Sequence, residues 1–124
     1  MMKRTSLDRR STEDLVELFA QIGVAQGEAD LGGENAEYRR LFRRMTDVAN
    51  ELKRREGDAR LALVRLYAHP NMQVRLQAAK KTLAVAPGEA RKQLEQIAAS
   101  KWFPQAGDAG MSLWNLDNGV FKPE

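Results

Sequence analysis

The sequence contains no cysteine and a single histidine, His69. The first absence excludes disulfides, thiolate metal sites and a cysteine nucleophile. The second excludes His-rich metal sites and leaves little acid–base chemistry near neutral pH. Prolines number four and aromatics eight, counting two Trp, two Tyr and four Phe. No apolar run approaches the roughly 20 residues that span a bilayer. No apolar stretch of leader length follows the basic start Met1-Met2-Lys3-Arg4-Thr5-Ser6. Phosphate loops, nucleophile–base pairs and metal-ligand spacings are missing as well. The expectation is a cytoplasmic protein with no catalytic residue, no metal, no cofactor and no membrane partner.

Hydrophobic residues make up 43% of 124 and charged residues 30%, enough for one continuous core, and a single domain over 1–124 is expected. The net charge is +3 and unevenly placed. Residues 1–62 carry 12 basic and 12 acidic side chains, whereas residues 63–124 carry 8 against 5. Between positions 65 and 101, Arg65, Arg75, Lys80, Lys81, Arg91, Lys92 and Lys101 face only Glu89 and Glu95. That local excess biases encounters toward an acidic partner, although a dedicated duplex-DNA binder usually shows more.

Helical punctuation runs through the chain. Ser11-Thr12-Glu13-Asp14 supplies a cap and early carboxylates for a first helix from about Thr12 to Gln26, and Gly27 to Gly33 reads as a loop. Tyr38, Leu41, Phe42, Met45, Val48, Ala49 and Leu52 recur at spacings of three and four, predicting an amphipathic second helix. Its opposite face offers Arg43 with Asp47 and Glu51 with Arg55 as exposed i,i+4 pairs. A third helix over Ala59–Ala68 is apolar nearly all round, which implies burial. His69-Pro70-Asn71 stops it and caps a fourth helix through Val74, Ala78, Ala79 and Leu83. Further helices are predicted over about Pro87–Ala99 and Gln105–Leu116, and 118–124 form a tail. The fold is expected to be all-α, with about six helices. It divides into an N-terminal helix pair (12–56), a hairpin (58–85) and a C-terminal hairpin (87–117).

A shift of 31 residues carries Leu63, Leu66, Ala68, Ala78 and Ala79 onto Leu94, Ile97, Ala99, Ala109 and Gly110. Two helical hairpins of equal period argue for a short solenoid in which each hairpin buries its apolar face on the next. The segment Pro70-Asn71-Met72-Gln73-Val74-Arg75-Leu76-Gln77-Ala78-Ala79-Lys80-Lys81-Thr82-Leu83 resembles the second helix of a HEAT-like repeat. The chain as a whole resembles a small bacterial HEAT-like family of uncharacterised function, above all from Asp108 to Trp114 and Gly119 to Pro123. The resemblance implies a right-handed α-α superhelix of HEAT/ARM type and no activity. It also implies that Arg75 bonds acidic groups or carbonyls of an adjacent repeat, as its planar fork of donors suits it to do.

The candidate contact residues fall into two groups. Lys80 and Lys81 with Arg91 and Lys92, joined by Arg75, form a basic patch that only Glu89 offsets. Aromatic interleaving of the kind single-strand binders use is missing there. Arg39, Arg40, Arg43 and Arg44 read as a solvated helix face. Trp102, Phe103, Trp114 and Phe121 concentrate half the aromatics in the last quarter. Exposed, they would form a protein-binding hot spot. The favoured reading is a buried cap on the last hairpin, with Trp102 as the exposed exception. Gly107-Asp108-Ala109-Gly110 reads as a close-packing helix surface. The expected function is therefore a non-enzymatic protein–protein interaction module, with an inhibitor or immunity-type role as one form. Nucleic-acid binding through positions 75–92 is the alternative. A HEAT-like DNA glycosylase using Asp108 or Asp117 among the aromatics is the remote one.

Overall fold

The computed structural model describes residues 7–124, and the basic Met1–Ser6 segment lies outside the described residues. Every regular element among them is helical: five α-helices and one 3-10 helix. Packing divides the chain into two compact units, Met1–Ala62 and Leu63–Glu124, with the division falling inside the 3-10 helix Ala59–Ala68.

Unit 1 is a helical hairpin of α1 (Thr12–Leu31) and α2 (Asn35–Arg54). Ser11 caps α1, its Oγ accepting from the Asp14 N–H at 3.0 Å. Leu15, Phe19, Ile22, Gln26 and Ala29 line the buried face of α1; Leu41, Met45, Val48 and Leu52 line that of α2. The first helix thus runs five residues beyond its expected end at Gln26. Gly27 costs the helix about 1 kcal/mol, but Gln26 and Ala29 on either side of it sit on the buried face, so packing outweighs propensity. The turn is left to Gly33 at φ +72°, in the left-handed region, and closed by the Glu34 N–H donating to the Ala29 carbonyl at 2.8 Å.

Two expectations for α2 change. Arg43 and Asp47 form no ion pair among the described residues, and Glu51 is buried at 6% exposure instead of solvated. Glu51 accepts from Arg54 at 2.6 Å and from Arg55 at 3.1 Å. Arg55 in turn donates to the Leu7 carbonyl at 3.1 Å and to Thr12 Oγ1 at 3.4 Å. The ion pair therefore ties the end of α2 to the start of α1.

The Ala59–Ala68 segment is a 3-10 helix and not an α-helix. Leu63 and Leu66 are buried three residues apart, the repeat that this geometry places on one ridge. Leu61 falls off that ridge and stays 52% exposed, so burial all round is not realised.

Unit 2 continues with α3 (Met72–Lys81), α4 (Pro87–Ala99) and α5 (Gln105–Asp117). Asn71 caps α3, its Oδ1 accepting from the Val74 N–H at 3.1 Å, and its own N–H donates to His69 Nδ1 at 3.0 Å. α3 stops at Lys81, short of Leu83, because Thr82 Oγ1 turns back to donate to the Ala78 carbonyl at 2.8 Å. The Tyr67 hydroxyl meets the same Oγ1 at 2.6 Å. Pro87 opens α4 from its first turn, where a missing N–H costs nothing. The core is Leu76, Ala79, Leu83, Ala90, Leu94, Ile97 and Ala109. Of the five pairs set 31 residues apart, Leu63–Leu94, Leu66–Ile97 and Ala78–Ala109 are buried in both members, Ala68 and Ala99 are exposed, and Ala79 is buried where Gly110 is half-buried. Replacing Asn71 with Ala should cost about 1 kcal/mol through the lost cap, measured as a lower urea midpoint with an unchanged slope.

Candidate interaction surface

α5 positions the site. Its buried side is Gln105, Ala106 and Ala109, extended by Leu113 and Leu116, which pack against the core. Gln105 Nε2 donates to Gln73 Oε1 at 3.0 Å inside the unit, fixing the start of α5 on α3. The opposite side of α5 carries Met111 and Trp114, 60% and 57% exposed. Ahead of the helix stand Trp102 and Phe103, 63% and 68% exposed; behind it stand Val120 and Phe121, 65% and 47% exposed. The tail is anchored, since the N–H groups of Val120 and Phe121 both donate to the Asn115 carbonyl, at 2.9 and 3.2 Å. The aromatic cluster is thus an exposed surface and not a buried cap. Small Ala106 and Ala109, with the two leucines, already close the core, which leaves no room beneath α5 for indole or phenyl rings.

The basic group is distributed differently from its expectation. Lys80 Nζ donates to Asp108 Oδ1 at 2.9 Å, and Ser112 Oγ donates to the same oxygen at 3.2 Å. Arg91 grips Asp117 with two bonds of 2.8 and 3.0 Å and reaches Glu95 at 3.1 Å. Three carboxylates beyond Glu89 therefore offset the patch, two of them from α5, 28 and 26 residues away in sequence. The Arg91 guanidinium holds the Asp117 carboxyl below its ordinary range. Lys92 is exposed, and Lys81 is half-buried with an interaction of its own. Arg75 Nε is buried without a hydrogen-bond partner among the described residues. Sequence reasoning missed Met111 and Val120. The signal for Met111 was available, because 107, 111 and 114 share the helix side opposite 106, 109, 113 and 116.

No group of three His, Cys, Asp or Glu side chains comes together among the described residues. Asp108 and Asp117 serve in ion pairs on the rim of α5. Two open clefts of about 320 and 420 Å³ lie in unit 1, lined in common by Arg40, Arg44 and Asp47. No helix of the described residues is long and apolar enough to cross a membrane.

A family described as a domain of unknown function, DUF2019, matches residues 13–117. The chain belongs to this family. The matched residues run from the first turn of α1 to the end of α5, so the DUF2019 domain carries most of both units and most of the apolar surface; residues 1–12 and the tail lie beyond it. Among solved structures the chain is similar to the protein RPA1889 from Rhodopseudomonas palustris CGA009. The two share 59% identity, over 95% of this chain and 98% of the other, with a TM-score of 0.93. No curated protein matches the chain.

Proposed function

We propose that the chain is a non-catalytic protein-binding module of the cytoplasm, built on HEAT-like hairpins, whose contact surface is the apolar side of α5 with its flanking aromatics. The observation that carries this reading is the exposure of Trp102, Phe103, Met111, Trp114, Val120 and Phe121. Aromatics and Met are the residue types enriched at interfaces, and a patch of this kind on a soluble chain marks an interaction site. The ends of the surface are held, not loose: Trp102 N–H donates to Ser100 Oγ at 3.1 Å, and Asn118 Nδ2 donates to the Trp114 carbonyl at 2.8 Å. A backbone already held in place has less entropy to lose on binding. An inhibitor or immunity-type role is the form this reading takes when the partner is another bacterial protein.

Capture of binding proteins by the tagged chain, with and without nuclease treatment, tests the reading. A protein retained after nuclease is expected, and Trp114→Ala should weaken its binding at least tenfold, a drop of about 1.4 kcal/mol, without lowering the melting temperature. Binding that survives both Trp114→Ala and Trp102→Ala would place the contact elsewhere. Nucleic-acid binding through Arg75, Lys80, Lys81, Arg91 and Lys92 predicts instead an affinity that falls steeply with salt. It has less support, because Lys80 and Arg91 already hold carboxylates.

A further inference from the structure

Unit 1 carries a charged groove that the α5 surface does not involve. Arg10, in the turn before α1, and Arg40 and Arg44, one helical turn apart on α2, stand around the open cleft of about 320 Å³. Leu7, Leu18 and Val48 form its apolar floor, Leu18 half-buried and the other two buried. The adjoining cleft shares Arg40, Arg44 and Asp47 and adds Arg43, so the guanidiniums continue along α2 beyond the groove. Their pairing differs from that of the 75–92 patch. Glu37 holds Arg40 at 2.7 and 2.9 Å, but the guanidiniums of Arg10, Arg43 and Arg44 have no hydrogen-bond or ion-pair partner among the described residues. Four guanidiniums against the carboxylates of Glu37 and Asp47 leave a local excess of two positive charges. The segment that carries Arg10 is fixed in place, because the Arg10 N–H and the Arg55 guanidinium both donate to the Leu7 carbonyl at 3.1 Å.

We propose that this groove docks a short acidic segment of a protein, in which carboxylates flank an apolar side chain. The apolar side chain covers Leu18, and the flanking carboxylates take the planar forks of Arg10 and Arg44, which match a carboxylate with two parallel bonds. The volume of about 320 Å³ lies at the low end of the roughly 300–1,000 Å³ of ligand sites. It has room for one side chain and its flanking backbone, not for a folded surface. A compact carboxylic acid would fill the groove and leave Arg43 uncovered, whereas a chain reaches it. Asp47 separates a polypeptide from a nucleic acid. Standing among the arginines, its carboxylate can accept an N–H from a peptide backbone, but it repels a row of phosphates. No aromatic lines the groove to stack a base, since Phe42 borders only the adjoining cleft. None of these residues belongs to α5, so binding here is independent of the surface described above.

A display library of random peptides panned against the full chain is the test, with the recovered peptides remeasured on variants by fluorescence anisotropy. Peptides with carboxylates on both sides of an apolar residue are expected. Arg10→Gln and Arg44→Gln should each weaken them about tenfold, while Trp114→Ala leaves them unchanged. Neither guanidinium holds a partner in the fold, so both variants should keep the native melting temperature. Lys92→Gln, which removes the same charge from an exposed position of unit 2, should change nothing. A library that yields no acidic peptide, or acidic peptides weakened equally by Lys92→Gln and Arg44→Gln, would overturn the proposal. So would a single-stranded oligonucleotide that binds through Arg10 and Arg44 more tightly than every recovered peptide. Peptides that depend on Trp114 alone reject the groove and leave the α5 surface standing. Acidic peptides that depend on Arg44, with none that depend on Trp114, do the reverse.

Discussion

Leu94→Ala is expected to cost unit 2 about 3 kcal/mol, seen as a large fall in the urea midpoint. Leu94 is fully buried and sits on α4, which packs against both α3 and α5. Its neighbours in the core include Ala79, Ala90 and Ala109. Alanines bring helix backbones close and have no side chain that can swing into a vacated space. The hole left by the missing leucine atoms therefore stays largely open, and the cost includes the cavity as well as the lost transfer energy. Met111→Ala on the exposed side of α5 is the control, with an expected change within about 0.5 kcal/mol. A Leu94→Ala loss below about 1 kcal/mol would show that α3 and α5 can close over the gap. The alanine-rich contact would then be far more compliant than its packing indicates.

The elements that were legible in the sequence are those whose cause is local. The spacing of Leu41, Met45, Val48 and Leu52 marks α2 because one helix face must be apolar wherever it packs. Asn71 after Pro70 marks the start of α3 because the cap bond spans only three residues. Pro87 marks α4 for a similar reason. What escaped depends on contacts distant in sequence. Whether Gly27 ends α1 is decided by burial on either side of it, not by the glycine. The Leu63–Leu66 interval fits a three-residue repeat, but so does Leu61–Val64, and the sequence alone does not say which of the two ridges is buried. The ion pairs Lys80–Asp108 and Arg91–Asp117 join α3 and α4 to α5, and nothing in the intervening residues announces them. The aromatics are the sharpest case. Composition placed Trp102, Phe103, Trp114 and Phe121 together, but exposure depends on whether smaller side chains close the core first. Ala106 and Ala109, with Leu113 and Leu116, do so. The same fact converts a presumed cap into a surface available to a partner.

Glu51 should matter more than any surface carboxylate of the chain. It is buried and holds Arg54 and Arg55, while Arg55 also fastens the Leu7 carbonyl and Thr12. Glu51→Ala would leave the half-buried Arg55 guanidinium without its counter-charge and free the segment before α1. Breaking such a pair from one side costs about 3 kcal/mol, whereas removing the exposed Glu37 that pairs with Arg40 should cost well under about 1 kcal/mol. The loss is expected in unit 1, as faster hydrogen exchange of amides along α1 and α2. Titration offers an independent check. Burial alone would raise the Glu51 pKa, but the hydrogen bonds from Arg54 and Arg55 outweigh it, and the net shift is downward. A carboxyl with a depressed folded pKa stabilises the fold fully above its ordinary value of about 4.3, and that stabilisation is lost as pH falls through the folded value. The stability gap between the native chain and Glu51→Ala should accordingly be widest near neutrality and narrow steadily in acid. A gap that stayed constant with pH would mean that Glu51 acts by packing alone and that Arg55 is held by the Leu7 carbonyl and Thr12 without it.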